Sequence, residues 1–281
     1  MSSTMTPPPN ALSIAGSDPS GGAGIQADIA VFTRLGVHAM AIPVALTVQN
    51  SGGVRRAEAL APEWLREQLA ALLADMPPAA TKTGMLGSRA TVEALADALA
   101  KTPLRNLVVD PIRRASSGAD LLPDDAFELL AKRLFPHALL ITPNRVEAEQ
   151  LWGHPVPTAR EAARCAADLL QTGVRAVLLT GGHLDDRGYI VDTLADAEGI
   201  TTWRHPRHPG PTPHGTGCAL AAAITAHLAH GLPLRESVRR ALVYMLEAIR
   251  SATTPGHGRP YLGDGSRTRS DNPTNDFAEG H

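Results

Sequence analysis

Five short apolar runs punctuate the chain, at residues 11–15, 39–46, 107–109, 138–141 and 176–179. Most are apolar at every position rather than every second one, which is what a strand covered on both faces requires. The segments between them have helical spacing. Ile25, Ile29 and Phe32 recur at steps of four and three, and Trp64, Leu65, Leu69 and Leu72 do likewise. Thr158 followed by Glu161 spells a capping box opening a helix toward Leu170. Pro62 and Pro123 stand where a first helical turn tolerates proline. Strands alternating with helices predict an α/β three-layer αβα sandwich around a central, mostly parallel sheet with right-handed crossovers. In such sheets ligands bind at the carboxyl ends of the strands, so that is where chemistry is expected.

The two ends read differently. Residues 1–10 are polar and proline-rich and are expected to form a flexible tail. Residues 263–281 carry one aromatic and no aliphatic periodicity, so disorder is expected there. No repeat or linker interrupts residues 11–262, which are expected to fold as one domain.

Composition narrows the class. With 281 residues, 43% of them hydrophobic, the chain can bury a large core. A formal net charge of -2 gives no long-range attraction to nucleic acid or to an anionic membrane, so neither is expected as a partner. No apolar run approaches the ~20 residues of a membrane-spanning helix. The opening MSSTMTPPPN lacks the basic start and apolar stretch of a secretory signal. The two cysteines, Cys165 and Cys218, are far apart and have no metal-ligand spacing, which fits a reducing cytoplasm.

Four segments carry candidate chemistry. Gly16-Ser17-Asp18-Pro19-Ser20-Gly21-Gly22-Ala23-Gly24 follows a strand and precedes a helix containing Asp28. Glycine lets backbone amides approach a ligand closely, although the loop matches neither a Walker A nor a dinucleotide pattern and a flexible turn explains it equally well. His214-Gly215-Thr216-Gly217-Cys218 enters a helix rich in small residues. Its unpaired amides and the positive end of the helix dipole suit a transferring phosphoryl group. At such a helix start a thiol pKa tends to fall, although a lone cysteine there is usually packing. Thr142-Pro143-Asn144-Arg145-Val146-Glu147 follows the fourth run, with Asn144 as a helix cap. Glu147 reads either as a capping-box residue or, with Asp110 at a strand end, as a carboxylate organising magnesium through water. Two acids plus an anion hole make phosphoryl transfer the economical reading. Thr180-Gly181-Gly182-His183 suits a backbone-lined nucleotide edge, or simply a tight turn.

GSDPSGGAGIQAD, ALTVQN, TKTGMLGS, VVDPI, ITPNRVEA, GGHL and HGTGCALAAA occur in this order over residues 11–262. In order and spacing they resemble the hydroxymethylpyrimidine kinase / phosphomethylpyrimidine kinase family of thiamin biosynthesis, within the ribokinase-like superfamily. The resemblance implies a ribokinase-like fold, ATP and Mg2+, and two successive phosphorylations, giving first a monophosphate and then a diphosphate. It further implies a cytoplasmic enzyme and a homodimer. It places Gln49 on the aminopyrimidine edge, Asp28 near the hydroxymethyl group, and Met85, Gly16 and Ile112 around the ring. It makes Cys218 the catalytic base beside the anion hole of Gly215, Thr216 and Gly217, with Asp110, Asn144, Glu147, Thr180 and Gly182 around Mg-ATP. The chain departs from the family where a lysine is common, with Ser116 and Thr180 in those places, and Arg113 and Arg114 are the nearby cations. Residues 207–213 are proline-rich and read as a stiffened flap. Two alternatives accompany this reading, a pyridoxal kinase whose Cys218 captures the aldehyde, and a catalytically weak pyrimidine-binding protein.

Overall fold

In the central strands, neighbouring side chains part to opposite cores. The computed structural model describes residues 7–115, 117–183, 188–264 and 278–280. In β5 (Leu107–Val109), Leu107 and Val109 enter one core and Val108 the other; in β7 (Val177–Leu179), Val177 and Leu179 part from Leu178 in the same way. That two-sided burial is why these runs are apolar throughout. β1 (Asn10–Ser17), β4 (Ala80–Thr83) and β6 (Leu140–Ile141) complete the parallel centre with the first half of β2 (His38–Asn50).

Four antiparallel pairings flank this centre. β3 (Gly53–Ala59) folds back on β2; β8 (Tyr189–Asp196) and β9 (Gly199–Pro206) extend the other side; β10 (Ala278–Gly280) closes that edge against β9. The order is β10-β9-β8-β7-β6-β5-β4-β1-β2-β3, one ten-stranded sheet. Chain order reverses between β4 and β1, the kind of switch point at which crossovers leave toward both faces and open a crevice.

The first core lies under α2 (Pro62–Asp75), α3 (Arg89–Lys101), α4 (Asp124–Leu134), α5 (Arg145–Trp152) and α6 (Ala159–Leu169). The second lies under α1 (Gly24–Arg34), α7 (Thr216–Ala229) and α8 (Leu234–Arg250), and buries Trp203. The expected mostly parallel sheet with helices on both sides is thus present. Pro62 occupies the first turn of α2, and Thr158 caps α6 by accepting from the Glu161 amide. Periodicity overstated burial at Trp64 and Ile29, which remain 59% and 37% exposed. The expectation of disorder over residues 263–281 is corrected at 278–280, whose backbone pairs with β9. Asn10 likewise belongs to β1, where its parallel register with His38 begins.

α7 is built of small residues and is buried along nearly its whole length, which lets it sit close to the sheet. His227, half-buried in its last turn, has a pKa pulled down to about 4 by burial and then by Arg240 and His230, against a smaller opposing effect of Glu236. The folded state therefore holds this imidazole neutral, while the unfolded chain takes up its proton below about 6.5. Stability linked to His227 is accordingly lost as pH falls from about 6.5 toward 4. His227→Gln is expected to flatten the pH dependence of the thermal midpoint across that window, and an unchanged slope would remove His227 as its source.

Candidate active site

A cavity of about 800 Å³ opens along the carboxyl ends of the parallel strands. Each central strand delivers residues to it: Gly16 and Ser17 from β1, Thr47 and Gln49 from β2, and Met85, Asp110, Thr142 and Thr180 from just beyond β4, β5, β6 and β7. Of the expected site residues, Gly16, Gln49, Met85, Asp110, Ile112, Asn144, Glu147, Thr180, Gly182, Gly215, Thr216, Gly217 and Cys218 all line this one cavity. Ser116 lies outside the described residues.

The two glycine-rich turns press against each other. Gly215 caps α7 in the left-handed conformation, at φ 79, and a Cβ there would meet the Gly22 carbonyl oxygen at 2.0 Å. Only glycine reconciles that dihedral with that approach. Ala219 is the first residue of α7 to donate back, to Gly215, and the amides of residues 215–218 donate to no described backbone carbonyl. These are the unpaired donors that any helix start leaves, and here they edge the cavity.

Asp18 organises the first turn, accepting from the amides of Ser20 and Ala23 at 2.9 Å each and from the Ser20 hydroxyl at 2.6 Å. The Gln49 amide donates to Asp18 at 2.9 Å and lies 2.8 Å from Nε2 of His214. Two nitrogens so close cannot both donate, so the role of Nε2 follows the His214 tautomer, and the same atom lies 3.4 Å from the Asp18 carboxylate. Gln49 thus donates to Asp18 within the protein, and its oxygen accepts from Thr47 at 3.2 Å. A ring edge that meets Gln49 therefore competes with Asp18 and Thr47 for its amide group.

The floor of the cavity is dry and charged. Lys82 and Asp28 are fully buried and pair at 2.8 Å, and Ser13 donates to Asp28 at 2.6 Å. This corrects the expected position of Asp28: its carboxylate is turned to Lys82 beneath the floor and is absent from the cavity wall. Burial works against the Lys82 charge, but Asp28, Cys218 and Asp110 together carry its pKa above the ordinary lysine range. The expected lowering of the Cys218 pKa is also corrected. Burial, then the negative charges of Asp110 and Asp28, push it up to about 12 against the opposing field of Lys82. Dehydration outweighs the helix terminus here.

Asp110 accepts from the Thr142 hydroxyl at 3.0 Å, while its second oxygen is buried with no described partner. Burial raises its pKa to about 6. Glu147 completes a reciprocal capping box with Asn144, taking the Asn144 amide at 3.0 Å. Burial and the charge of Asp110 push it up to about 8. The capping reading of Glu147 is therefore realised, with the carboxyl also on the cavity wall. Toward β8 and α8 the wall turns apolar, through Ile190, Leu220, Leu242, Met245, Leu246 and Ile249.

Lys82 was not singled out from the sequence, although a signal existed. A lysine inside the four-residue buried strand Ala-Thr-Lys-Thr demands a partner. His214 and Asp18 were read only as parts of motifs, since what they do depends on contacts across 196 residues and 31 residues to reach each other and Gln49.

The family model described as phosphomethylpyrimidine kinase matches residues 18–262. The chain is 43% identical, over 88% of its length, to the thiamine biosynthesis bifunctional protein of Geobacter sulfurreducens, of which it spans 50%. It is 42% identical to the hydroxymethylpyrimidine/phosphomethylpyrimidine kinase of Rhizobium meliloti, covering 86% of this chain and 91% of that one. Among solved structures, the phosphomethylpyrimidine kinase of Clostridium difficile matches with a TM-score of 0.77 at 38% identity, over 86% of this chain and 99% of that one. The pyridoxal kinase of Staphylococcus aureus in complex with AMP-PCP matches at 0.87 and 27%, over 97% and 98%.

The buried pair under the floor has a measurable signature. Lys82→Met leaves Asp28 charged and unpaired in a dry interior and is expected to cost about 3–5 kcal/mol of stability in urea unfolding. The double change Lys82→Met with Asp28→Leu is expected to lose clearly less than the two single changes added together. Additive losses would mean that the two charges do not depend on each other.

Proposed function

Because this chain belongs to the phosphomethylpyrimidine kinase family, we propose that it uses ATP to phosphorylate 4-amino-5-hydroxymethyl-2-methylpyrimidine, first on the alcohol and then on the resulting monophosphate, in thiamin biosynthesis. It is a phosphotransferase of the ribokinase-like fold. The observation that carries the substrate reading is the convergence of the unpaired amides of residues 215–218 with Gln49, Met85 and Gly16 on one cavity. Phosphoryl transfer needs little covalent chemistry from a protein and much positioning and charge stabilisation, which is what preorganised amides supply.

In this reading Gly16 and Met85 hold the pyrimidine ring; Gly16 donates its amide to the Met85 carbonyl at 3.0 Å, so the two walls are tied. Gln49 meets the ring edge. The apolar wall toward α8 takes the nucleoside base, and Thr180 and Gly182 border the phosphates. Asp28 acts through Lys82 from below. Lys82 is the cation whose field opposes the high pKa of the Cys218 thiol. Cys218, at the start of α7, is the group that takes the acceptor's proton in the first step. With its pKa pushed up to about 12 the thiol begins protonated, and it must first pass that proton to Asp110, the carboxylate on the cavity wall whose charge bears on it.

Asp110 and Glu147 fit a magnesium ion held through water. The unpartnered buried oxygen of Asp110 and the high pKa of Glu147 both mark a place where a cation would offset negative charge. No cluster of three or more potential ligands occurs among the described residues, which suits an ion that takes few carboxylates and fills its shell with water and phosphate oxygens. When bound, the ion neutralises charge on the phosphate oxygens.

The pyridoxal kinase structure superposes with the higher TM-score, but the pyrimidine kinase is closer in sequence, 38% against 27% identity. Backbone path reports the shared fold, whereas acceptor choice lives in side chains, so the pyrimidine is favoured. Mass spectrometry of products from equal hydroxymethylpyrimidine and pyridoxal, with ATP and magnesium, is expected to show the pyrimidine monophosphate and diphosphate. Predominant pyridoxal phosphate would overturn the acceptor, and pyrimidine binding without ATP consumption would replace the kinase with a binding protein.

Cys218→Ala is expected to lower turnover of the alcohol at least tens-fold while barely changing stability. Wild-type turnover in that variant would take the sulfur out of the mechanism.

A further inference from the structure

The second acceptor differs from the first in charge. An alcohol is neutral and must lose a proton, whereas a phosphate monoester is largely dianionic near pH 7 and must be brought against an already anionic triphosphate. The acceptor end of the cavity therefore needs a cation for the second step that the first does not require.

Five arginines line the cavity wall: Arg113, Arg114, Arg207, Arg250 and Arg259. Arg113 donates to Asp124 at 2.7 Å and Arg114 to Asp120 at 2.6 Å. Arg207 donates to the Gly182 carbonyl at 2.8 Å, and Arg250 is also engaged. The Arg259 guanidinium has no hydrogen bond or ion pair with a described residue.

Its backbone is nevertheless anchored on both sides. The Arg259 amide donates to the Ser51 carbonyl at 3.0 Å, and the next carbonyl, of Pro260, accepts from the His214 amide at 2.8 Å. Tyr261 donates its hydroxyl to Ser20 at 2.6 Å and stacks, tilted, 5.9 Å from His214. Arg259 is thus fixed between the turn joining β2 to β3, beyond Gln49, and the residue that immediately precedes the 215–218 amides. It stands at the acceptor end, away from the apolar wall of α8.

We propose that Arg259 determines specificity for the second acceptor, its guanidinium holding the phosphate of the monophosphorylated pyrimidine beside the 215–218 turn. The planar fork of a guanidinium matches two oxygens of a phosphate. A nonbridging oxygen of the held phosphate attacks the γ-phosphorus of ATP and forms the new P–O bond. The bond from that phosphorus to the β–γ bridging oxygen breaks, and ADP leaves with the electron pair. No proton has to leave the acceptor in this step, so charge compensation replaces base catalysis. The proposal rests on the two-step pyrimidine kinase reading.

The test is steady-state kinetics of wild type, Arg259→Ala and Arg259→Lys on both acceptors with saturating Mg-ATP. Arg259→Ala is expected to raise KM for the monophosphate at least tenfold, with KM for the alcohol and for ATP within twofold of wild type. Arg259→Lys, keeping charge without the fork, is expected to recover part of the loss. The thermal midpoint should hold, because main-chain bonds anchor the segment. Equal losses on both acceptors, a raised KM for ATP, or an unchanged KM for the monophosphate would each overturn the assignment. Wild-type protein that phosphorylates the alcohol but never the monophosphate overturns it too, yet leaves the kinase reading standing. Wild-type protein inactive on both acceptors ends both readings.

Discussion

A lysine and an aspartate sealed from water beneath a ligand cavity are the constraint to which the rest of this molecule answers. Lys82 on β4 and Asp28 on α1 are both fully buried, and neither is tolerable there without the other. Their contact fixes α1 against β4, on the far side of β1 from β2. The Gly16–Gly24 loop that leads into α1 is therefore held directly above the switch in strand order. The same lysine supplies positive potential to the Cys218 sulfur and to Asp110. One interior cation thus serves both packing and the electrostatics of the floor.

Above that floor the local rules conflict, and the conflicts coincide with the site. Helix starts lower thiol pKa values, yet burial beside two carboxylates raises that of Cys218 to about 12. Buried polar atoms are ordinarily partnered, yet one oxygen of Asp110 has no hydrogen bond within normal geometry to a described residue. Glu147 is raised to about 8 although its carboxyl accepts the Asn144 amide of a helix cap. Each departure is what remains when a charged ligand is expected to complete the surroundings.

The fold was legible because parallel strands buried on both faces leave an unmistakable apolar signature, as at residues 107–109 and 176–179. β8 and β9 were not read, since β9 alternates buried and exposed positions and polar residues such as Asp192, Thr193, Thr201 and His205 are buried within the two strands. Asp192 is satisfied, among the described residues, through the Gly181 amide and His205, contacts that have no local sequence pattern. Most candidate site residues were legible because glycine turns and capped helix starts follow strands directly. Asp28 was misplaced for the complementary reason. Its partner, Lys82, is 54 residues away, and only the three-dimensional pairing shows which way the carboxylate faces.

The pressed pair of turns has a consequence for how the protein comes into being. Gly22 and Gly215 meet across about two thirds of the chain, and the 259–261 segment locks over them through Ser51, His214 and Ser20. During synthesis the first of these turns leaves the ribosome long before its counterpart exists. The acceptor pocket therefore depends on contacts of large sequence separation, whose loop-closure cost makes them slow to form. A nascent or prematurely terminated chain that lacks the second turn has no place to hold a substrate.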